Sequence, residues 1–136
     1  MNLDRYIDLT IALKDNCHNF KCRCKHFSFI IKKNKILSIG TNNPRKTHPR
    51  NLKYKYTSRE NNDISEFVGV HSELSAVLKF GFEDCTNFIL VNTRVNAAGK
   101  IANSKPCKGC QNLIFQLNFK KVYYTNDSGD FEQLVV

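Results

Sequence analysis

Residues 71–80 read HSELSAVLKF, and residues 106–117 read PCKGCQNLIFQL. Apolar side chains recur every three or four positions in both stretches, which is the spacing of an amphipathic helix. The pattern predicts helices over residues 69–80 and 107–117, with a β-rich run at residues 88–91 between them. The side chains that could bind a metal or transfer a proton lie at the two predicted helix starts. They are His71, Glu73, Cys107 and Cys110.

Outside these stretches the chain alternates between helical and extended patterns. The predicted segments are a helix at 3–15, a hairpin at 27–31 and 36–39, a turn at 40–44, and strands at 122–125 and 131–136. Strands that alternate with helices imply an α/β fold with a sheet covered on both faces. A length of 136 residues and 41% hydrophobic residues suit one domain, over residues 1–136, with one ordinary core.

The charge is strongly uneven along the chain. Residues 1–60 contain 14 Lys and Arg against 4 Asp and Glu, whereas residues 61–136 contain 7 against 8. The net charge of +9 fits either a polyanionic or phosphorylated partner or a well-solvated surface. A basic segment without periodicity at residues 45–63 is predicted to be a long loop. Nucleic acid binding through residues 45–59 is possible, because Tyr54 and Tyr56 alternate with basic side chains, but a solvated loop is favoured.

Residues near the start of the chain contain no apolar run behind a basic segment, and no stretch approaches 18 apolar residues. We therefore expect a cytoplasmic protein without a membrane partner. The six cysteines are then better explained by metal binding or burial than by disulfides. Five of the chain's Cys and His residues crowd between Cys17 and His26, including Cys22 and Cys24. A second, structural zinc there is less favoured, since Cys22 and Cys24 are closer than the usual ligand pair.

The residues at the two helix starts form a candidate metal site. Catalytic zinc takes three protein ligands of nitrogen and sulfur type and leaves one position for water. His71, Cys107 and Cys110 supply that number, and a helix N-terminus stabilises the thiolates that zinc requires. Glu73 stands two residues after His71, close enough to carry a proton without being a ligand.

Each half of this pattern has a simpler explanation when taken alone. H-x-E also occurs at capped helix starts, and C-x-x-C also occurs in redox pairs and structural zinc sites. A structural site would need a fourth protein ligand, for which Cys85 is the nearest candidate in sequence, although Cys85 suits apolar packing better. The two motifs in this order, with a strand between them, favour a catalytic zinc.

Together the motifs H-x-E and P-C-x-x-C are the signature of zinc deaminases. With the first helix, the hairpin, and Asn42 after it, residues 3–125 resemble the cytidine and deoxycytidylate deaminase superfamily. The resemblance implies a three-layer α/β/α sandwich around a mixed sheet of about five strands. It also implies one catalytic Zn²⁺ ion and a homo-oligomer.

The resemblance also implies roles for particular residues. His71, Cys107 and Cys110 correspond to the zinc ligands, and Glu73 corresponds to the proton shuttle. Three further positions correspond to substrate contacts. They are Asn42 for the sugar, the backbone N–H of Ser72 for the pyrimidine carbonyl, and the backbone carbonyl near Lys105 for the departing amino group.

The sequence departs from the family pattern at three places. Ser72 replaces the usual Ala, which would crowd the base pocket, and Lys105 replaces the usual Ser, Thr or Tyr before Pro106. The chain stops at Val136, so we expect the family's last helix to be missing or very short.

Several substrates remain open. A cytosine nucleotide or nucleoside is the first choice, and basic residues such as Arg45, Lys46 and Arg50 favour the monophosphate dCMP over the nucleoside. The second choice is a polynucleotide cytosine deaminase, and a tRNA adenosine deaminase is the third. A nucleic-acid-binding protein that retains the zinc site without catalysis is the alternative from another class.

Overall fold

The computed structural model describes residues 2–14, 25–42, 71–81 and 84–135. Three helices and five strands occur in these ranges. In chain order they are α1 (Asp4–Leu13), β1 (Lys25–Lys32), β2 (Lys35–Thr41), α2 (Ser72–Phe80), β3 (Ile89–Val95), α3 (Lys108–Leu117), β4 (Lys121–Thr125) and β5 (Phe131–Gln133). The predicted basic loop at 45–63 and the cysteines Cys17, Cys22 and Cys24 lie outside the described residues.

The five strands form one mixed sheet in the order β2-β1-β3-β4-β5. Pairing is antiparallel everywhere except between β3 and β4, so β2, β3 and β4 run in one direction. The helices that follow β2 and β3 in the chain therefore begin at the same edge of the sheet. This is the edge at which α/β proteins place their ligand sites.

Side chains alternate between the two faces of the sheet, and each face has its own core. On β1, Phe27 and Phe29 pack towards α1 around Tyr6, whereas Ile30 packs with Leu74 on the side of α2 and α3. The period of two along a strand produces this division. The expected three-layer α/β/α sandwich with a mixed sheet is confirmed.

The hairpin between β1 and β2 has the predicted polar turn. Lys33 and Asn34 both have positive φ, of 51° and 64°, which is typical of the two-residue turn that best matches strand twist. The pairing then shifts by one residue, so that Ile31 pairs with Ile36 and Ile30 with Ser38.

Gly40 is part of β2 and not part of a turn, which corrects the predicted end of the hairpin at residue 39. A Cβ atom at Gly40 would lie 2.2 Å from the carbonyl oxygen of Ser72 and 2.3 Å from the backbone nitrogen of Ala76. The helix α2 thus packs directly on the strand backbone, and Ser38 strengthens the contact by donating a hydrogen bond of 2.8 Å to the Ala76 carbonyl. This close approach places the first turn of α2 over the sheet.

The lengths of β3 and β5 also differ from the prediction. The strand predicted at 88–91 is β3, Ile89–Val95, and it continues through four residues whose mixed polarity suggested a loop. The last strand ends at Gln133, whereas the prediction extended it to 136. A helix that could span a membrane is not found among the described residues.

Candidate active site

His71 immediately precedes α2 and has extended backbone angles, with φ −75° and ψ 157°. Its carbonyl accepts a hydrogen bond of 2.9 Å from the N–H of Ser75, so it is the N-terminal cap of the helix. His71 therefore lies where α2 begins, at the sheet edge described above. The predicted helix start at residue 69 lies outside the described residues.

Cys107 caps α3 in the same way, with φ −67° and ψ 171°. Its sulfur accepts a hydrogen bond of 3.5 Å from the backbone N–H of Cys110. Gln111 closes the turn from the other side by donating from Nε2 to the carbonyl oxygen of Pro106 at 2.9 Å. The N–H groups of the first helical turn therefore stabilise negative charge on Cys107 Sγ.

The two helix starts bring the three predicted ligands together. His71 Nδ1 lies 3.4 Å from Cys107 Sγ and 3.6 Å from Cys110 Sγ, and the ligand atoms of the group all lie within 4.8 Å of one another. A hydrogen bond from Cys110 is the main cause that lowers the pKa of the Cys107 thiol to about 4. A hydrogen bond from His71 and the charge of His71 lower this pKa further, whereas burial acts in the opposite direction. A thiolate beside an imidazole is the donor set that zinc prefers.

Glu73 lies in the first turn of α2 and is only 6% exposed. Burial raises its pKa above the usual range, while the charge of His71 opposes that shift. Oε1 accepts from the hydroxyl of Ser72 at 3.0 Å, and Oε2 accepts from Nδ2 of Asn92 at 2.9 Å. Both carboxyl oxygens therefore have fixed partners beside the group of candidate metal ligands.

The partners of Glu73 are joined to each other through Ser28. The hydroxyl of Ser28 lies 2.8 Å from Ser72 Oγ and 2.7 Å from Asn92 Oδ1, which closes a ring of four hydrogen-bonding contacts. With Glu73 ionised, Ser28, Ser72 and Asn92 supply three protons for the four contacts. A proton on Glu73 supplies the fourth, because each hydroxyl can then donate to its neighbour in one direction around the ring.

A known protein family matches most of this chain. The family described as the cytidine and deoxycytidylate deaminase zinc-binding region matches residues 2–126. The chain belongs to this deaminase family. Its His71, Cys107 and Cys110 group fits the one Zn²⁺ ion of that family's zinc-binding region, as predicted.

Two deaminases of known structure align with this chain. A cytidine deaminase from Burkholderia pseudomallei aligns with a TM-score of 0.59 at 16% identity, covering 98% of this chain and 92% of its own. The dCMP deaminase from the cyanophage S-TIM5, in apo form, aligns with a TM-score of 0.49 at 21% identity, covering 93% and 86%. A search of the curated proteins finds no match. At these identities the Burkholderia structure supports the deaminase fold and does not specify a substrate.

The three predicted substrate contacts lie in different settings. Asn42 follows β2, and its Oδ1 accepts a hydrogen bond of 3.0 Å from the N–H of His26. Ser72 is buried and joins the ring, whereas the exposed Lys105 precedes Pro106 and donates its N–H to Asn103 Oδ1 at 2.9 Å. Their roles towards a substrate stay predictions.

Cys85 lies apart from the candidate ligands. Its side chain is fully buried within the apolar core that includes Leu117 and Val122, and its N–H donates to the Leu117 carbonyl at 2.7 Å. Burial, together with the charge of Asp84, raises the pKa of the thiol to about 11. A neutral thiol in this core suits packing, as the sequence favoured, and not a fourth zinc ligand.

Sequence reasoning missed the polar residues beneath the site. Ser28, Asn92 and Ser104 are all buried, and each makes hydrogen bonds to side chains or carbonyls from other parts of the chain. One signal was available for Asn92. If the strand is continued past Val91, Asn92 falls on the same face as Leu90, which is the face that carries the zinc-ligand helices.

Proposed function

We propose that this protein is a zinc-dependent hydrolase that removes the amino group from the cytosine of a nucleotide or nucleoside. The observation that carries the proposal is a buried carboxyl group, Glu73, fixed beside a group of three convergent metal-ligand side chains among the described residues. Three ligands suit a metal with an open position, and an adjacent carboxyl that is not part of the group suits proton transfer.

His71, Cys107 and Cys110 would hold the ion. When bound, zinc would supply Lewis-acid chemistry that makes a water molecule nucleophilic at neutral pH. Glu73 would accept one proton of the attacking water and deliver it to N3 of the pyrimidine. It would then pass the second proton, from the new hydroxyl on C4, to the amino group, so that the C4–N bond breaks, ammonia leaves and the C4 carbonyl forms. The raised pKa of Glu73 supports this role, because a carboxyl that both takes and returns a proton works best with a pKa closer to neutrality.

The backbone around the site offers the contacts that would hold the base. The N–H of Ser72 would donate to the pyrimidine carbonyl, and the carbonyl of Lys105 would accept from the amino group. Asn42 would contact the sugar from the end of β2. The basic residues of the first 60 positions support a phosphorylated substrate, so dCMP is the first candidate.

A polynucleotide cytosine substrate is the second candidate. The observation that favours it is the uneven charge, with 14 Lys and Arg among residues 1–60, together with Tyr54 and Tyr56 in the basic segment. Alternating aromatic and basic residues suit a single strand, whose bases stack while its phosphates are neutralised.

The test is a product assay by mass spectrometry on the zinc-loaded protein. Cytidine, deoxycytidine, CMP, dCMP and a short C-containing single-stranded DNA are each offered to the protein and to Glu73→Ala. Deamination raises the product mass by about one unit, because NH₂ is replaced by a carbonyl oxygen. We expect product from dCMP and none with Glu73→Ala. Product from the oligonucleotide alone would support the second candidate, and no product from any of them would contradict cytosine deamination.

A further inference from the structure

We propose that Asn92, itself held by Ser28, is a positioning residue that fixes the carboxyl group of Glu73 towards the metal site. The proposal rests on the proposed deaminase function for its kinetic consequence. Its structural part, that Asn92 and Ser28 determine where the Glu73 carboxyl lies, stands on contacts between three buried side chains.

The Asn92 side chain is committed to protein acceptors. It is 2% exposed, and its Nδ2 donates to Glu73 Oε2 at 2.9 Å and to the Ser104 carbonyl at 3.4 Å. Because both neighbours of Nδ2 are acceptors, the amide can be placed in only one of its two orientations. Both N–H bonds have a protein partner, so the amide acts on Glu73 and not on a substrate.

Ser28 fixes the other end of the same amide. It lies directly opposite Asn92 in the antiparallel pairing of β1 with β3, and its hydroxyl donates to Asn92 Oδ1 at 2.7 Å. Ser28 is fully buried, so water does not compete for this contact. Because Asn92 is itself on β3, the adjacent strands β1 and β3 together fix the position of the amide.

This arrangement matters because the glutamate side chain has three rotatable bonds, and α2 alone fixes only its Cα position. Ser72 contacts Oε1 from the adjacent residue of the same helix, whereas Asn92 contacts Oε2 from the sheet. Among the residues that the structure describes, only the Asn92 contact ties the carboxyl group to an element other than α2. A displacement of about 1 Å in a reacting group can reduce turnover about 100-fold.

The kinetic test compares neighbouring residues on β3 that face opposite sides of the sheet. Asn92→Leu removes the amide at nearly constant size, and Thr93→Val removes a hydroxyl that is fully buried and contacts Thr10. With the substrate that the product assay identifies, we expect Asn92→Leu to lower kcat about 10–100-fold while KM changes less than about threefold. Thr93→Val should keep kcat and KM near wild type while losing comparable stability.

Crystal structures and zinc analysis of the same zinc-loaded variants test the proposal without activity. We expect Asn92→Leu to retain one zinc per chain and to show the Glu73 carboxyl displaced or in two rotamers, while Thr93→Val leaves it in place. Ser28→Ala, which keeps Asn92, should give a smaller displacement and tests the same idea if Asn92→Leu does not fold.

The outcomes separate the two proposals. If the wild-type protein deaminates no cytosine compound while Glu73 still moves in Asn92→Leu, the proposed function fails and the positioning role stands. If the carboxyl stays in place in both Asn92→Leu and Ser28→Ala, or if kcat falls equally in Thr93→Val, the positioning role is wrong. Loss of zinc from Asn92→Leu would also overturn it, because Asn92 would then act through the metal site as a whole.

Discussion

The two faces of the sheet use the same strands for different purposes. Facing α1, β1 and β3 present Phe27, Phe29 and Val91, which pack with Tyr6 into an apolar core. Facing α2 and α3, the intervening residue Asn92 contacts Glu73 beneath the metal-ligand group, and Ser28 contacts Asn92 and Ser72. Strand alternation thus lets adjacent residues serve packing on one face and a polar site on the other.

The faces also differ in what they bury. The described polar contact on the α1 side is a neutral pair, Thr10 with Thr93, in which Thr10 also donates to the Tyr6 carbonyl at 2.6 Å. The other face buries an ionisable carboxyl group at 6% exposure. Burying a carboxylate costs stability, and residues of this kind are found where function requires them. We therefore expect substitutions on the α1 face to change stability and those on the site face to change turnover.

Glu73→Gln should give the largest effect and separate the faces most clearly. We expect the rate of deamination to fall by a factor of about 10²–10⁴, since the amide cannot transfer the proton. The melting temperature should not fall, because a Gln amide can donate to Ser72 and accept from Asn92, which completes the ring of four contacts. Turnover assays and thermal denaturation measure both quantities. An active or strongly destabilised variant would contradict this account.

Gly40→Ala should have the next largest effect. The added Cβ would lie 2.2 Å from the carbonyl oxygen of Ser72 and 2.3 Å from the backbone nitrogen of Ala76, so it would collide with the backbone of α2. We expect a loss of about 3 kcal/mol in unfolding free energy, together with weaker activity as Ser72 and Glu73 are displaced. Gly129→Ala is the control, because it has a φ of 84° but its nearest neighbours are 3.7 Å away.

The control should lose about 1–2 kcal/mol from the left-handed backbone alone, with activity per folded molecule unchanged. Urea denaturation and turnover of both variants make the comparison. Equal losses of activity in the two variants would show that the position of α2 does not depend on the close approach at Gly40.

Cys85→Ala should have a smaller effect, on how stability depends on pH. Burial raises the pKa of its thiol from the usual 9.0 to about 11, so the folded protein holds this proton more tightly than the unfolded chain. The stability from this group is complete below pH 9 and is lost between about pH 9 and 11. We expect denaturation curves of Cys85→Ala to depend less steeply on pH in that window. Parallel pH dependences of the two proteins would count against the buried, neutral thiol.

Tyr6→Phe should have the smallest effect, on the α1 face. The Tyr6 hydroxyl is buried, and no partner for it is present among the described residues. Removing it should change unfolding free energy by less than about 1 kcal/mol, or increase it. Thr10→Val is the matched control, because that hydroxyl has two partners and its loss should be costlier. Chemical denaturation that ranks Tyr6→Phe as the more damaging of the two would contradict this account.

Much of the fold and the centre of the site could be predicted from the sequence. Periodicity located the elements, and the motifs that contain His71, Glu73 and Cys107 identified residues that the fold brings together. Chemistry at a helix start is local, so short spacings reveal it.

The supporting residues could not be predicted in this way. Asn92 is a polar residue in a strand, and a hydrogen bond to Glu73 compensates for the burial of its amide. Glu73 is 19 positions away in the chain. Gly40 looked like a turn residue, and only the packing of α2 shows why a side chain is excluded there. Such constraints arise from contacts between distant segments, which periodicity does not record.

X-ray absorption spectroscopy of the zinc-loaded protein tests the central claim most directly, because it counts the sulfur ligands of the metal. A site built from His71, Cys107 and Cys110, with one position open to water, predicts two sulfur ligands at about 2.3 Å and two nitrogen or oxygen ligands at about 2.0 Å. Cys110→Ser should reduce the sulfur count to one, while Cys85→Ala should leave it at two. Three or four sulfur ligands in the wild-type protein would indicate a closed, structural site and would contradict the proposed deaminase.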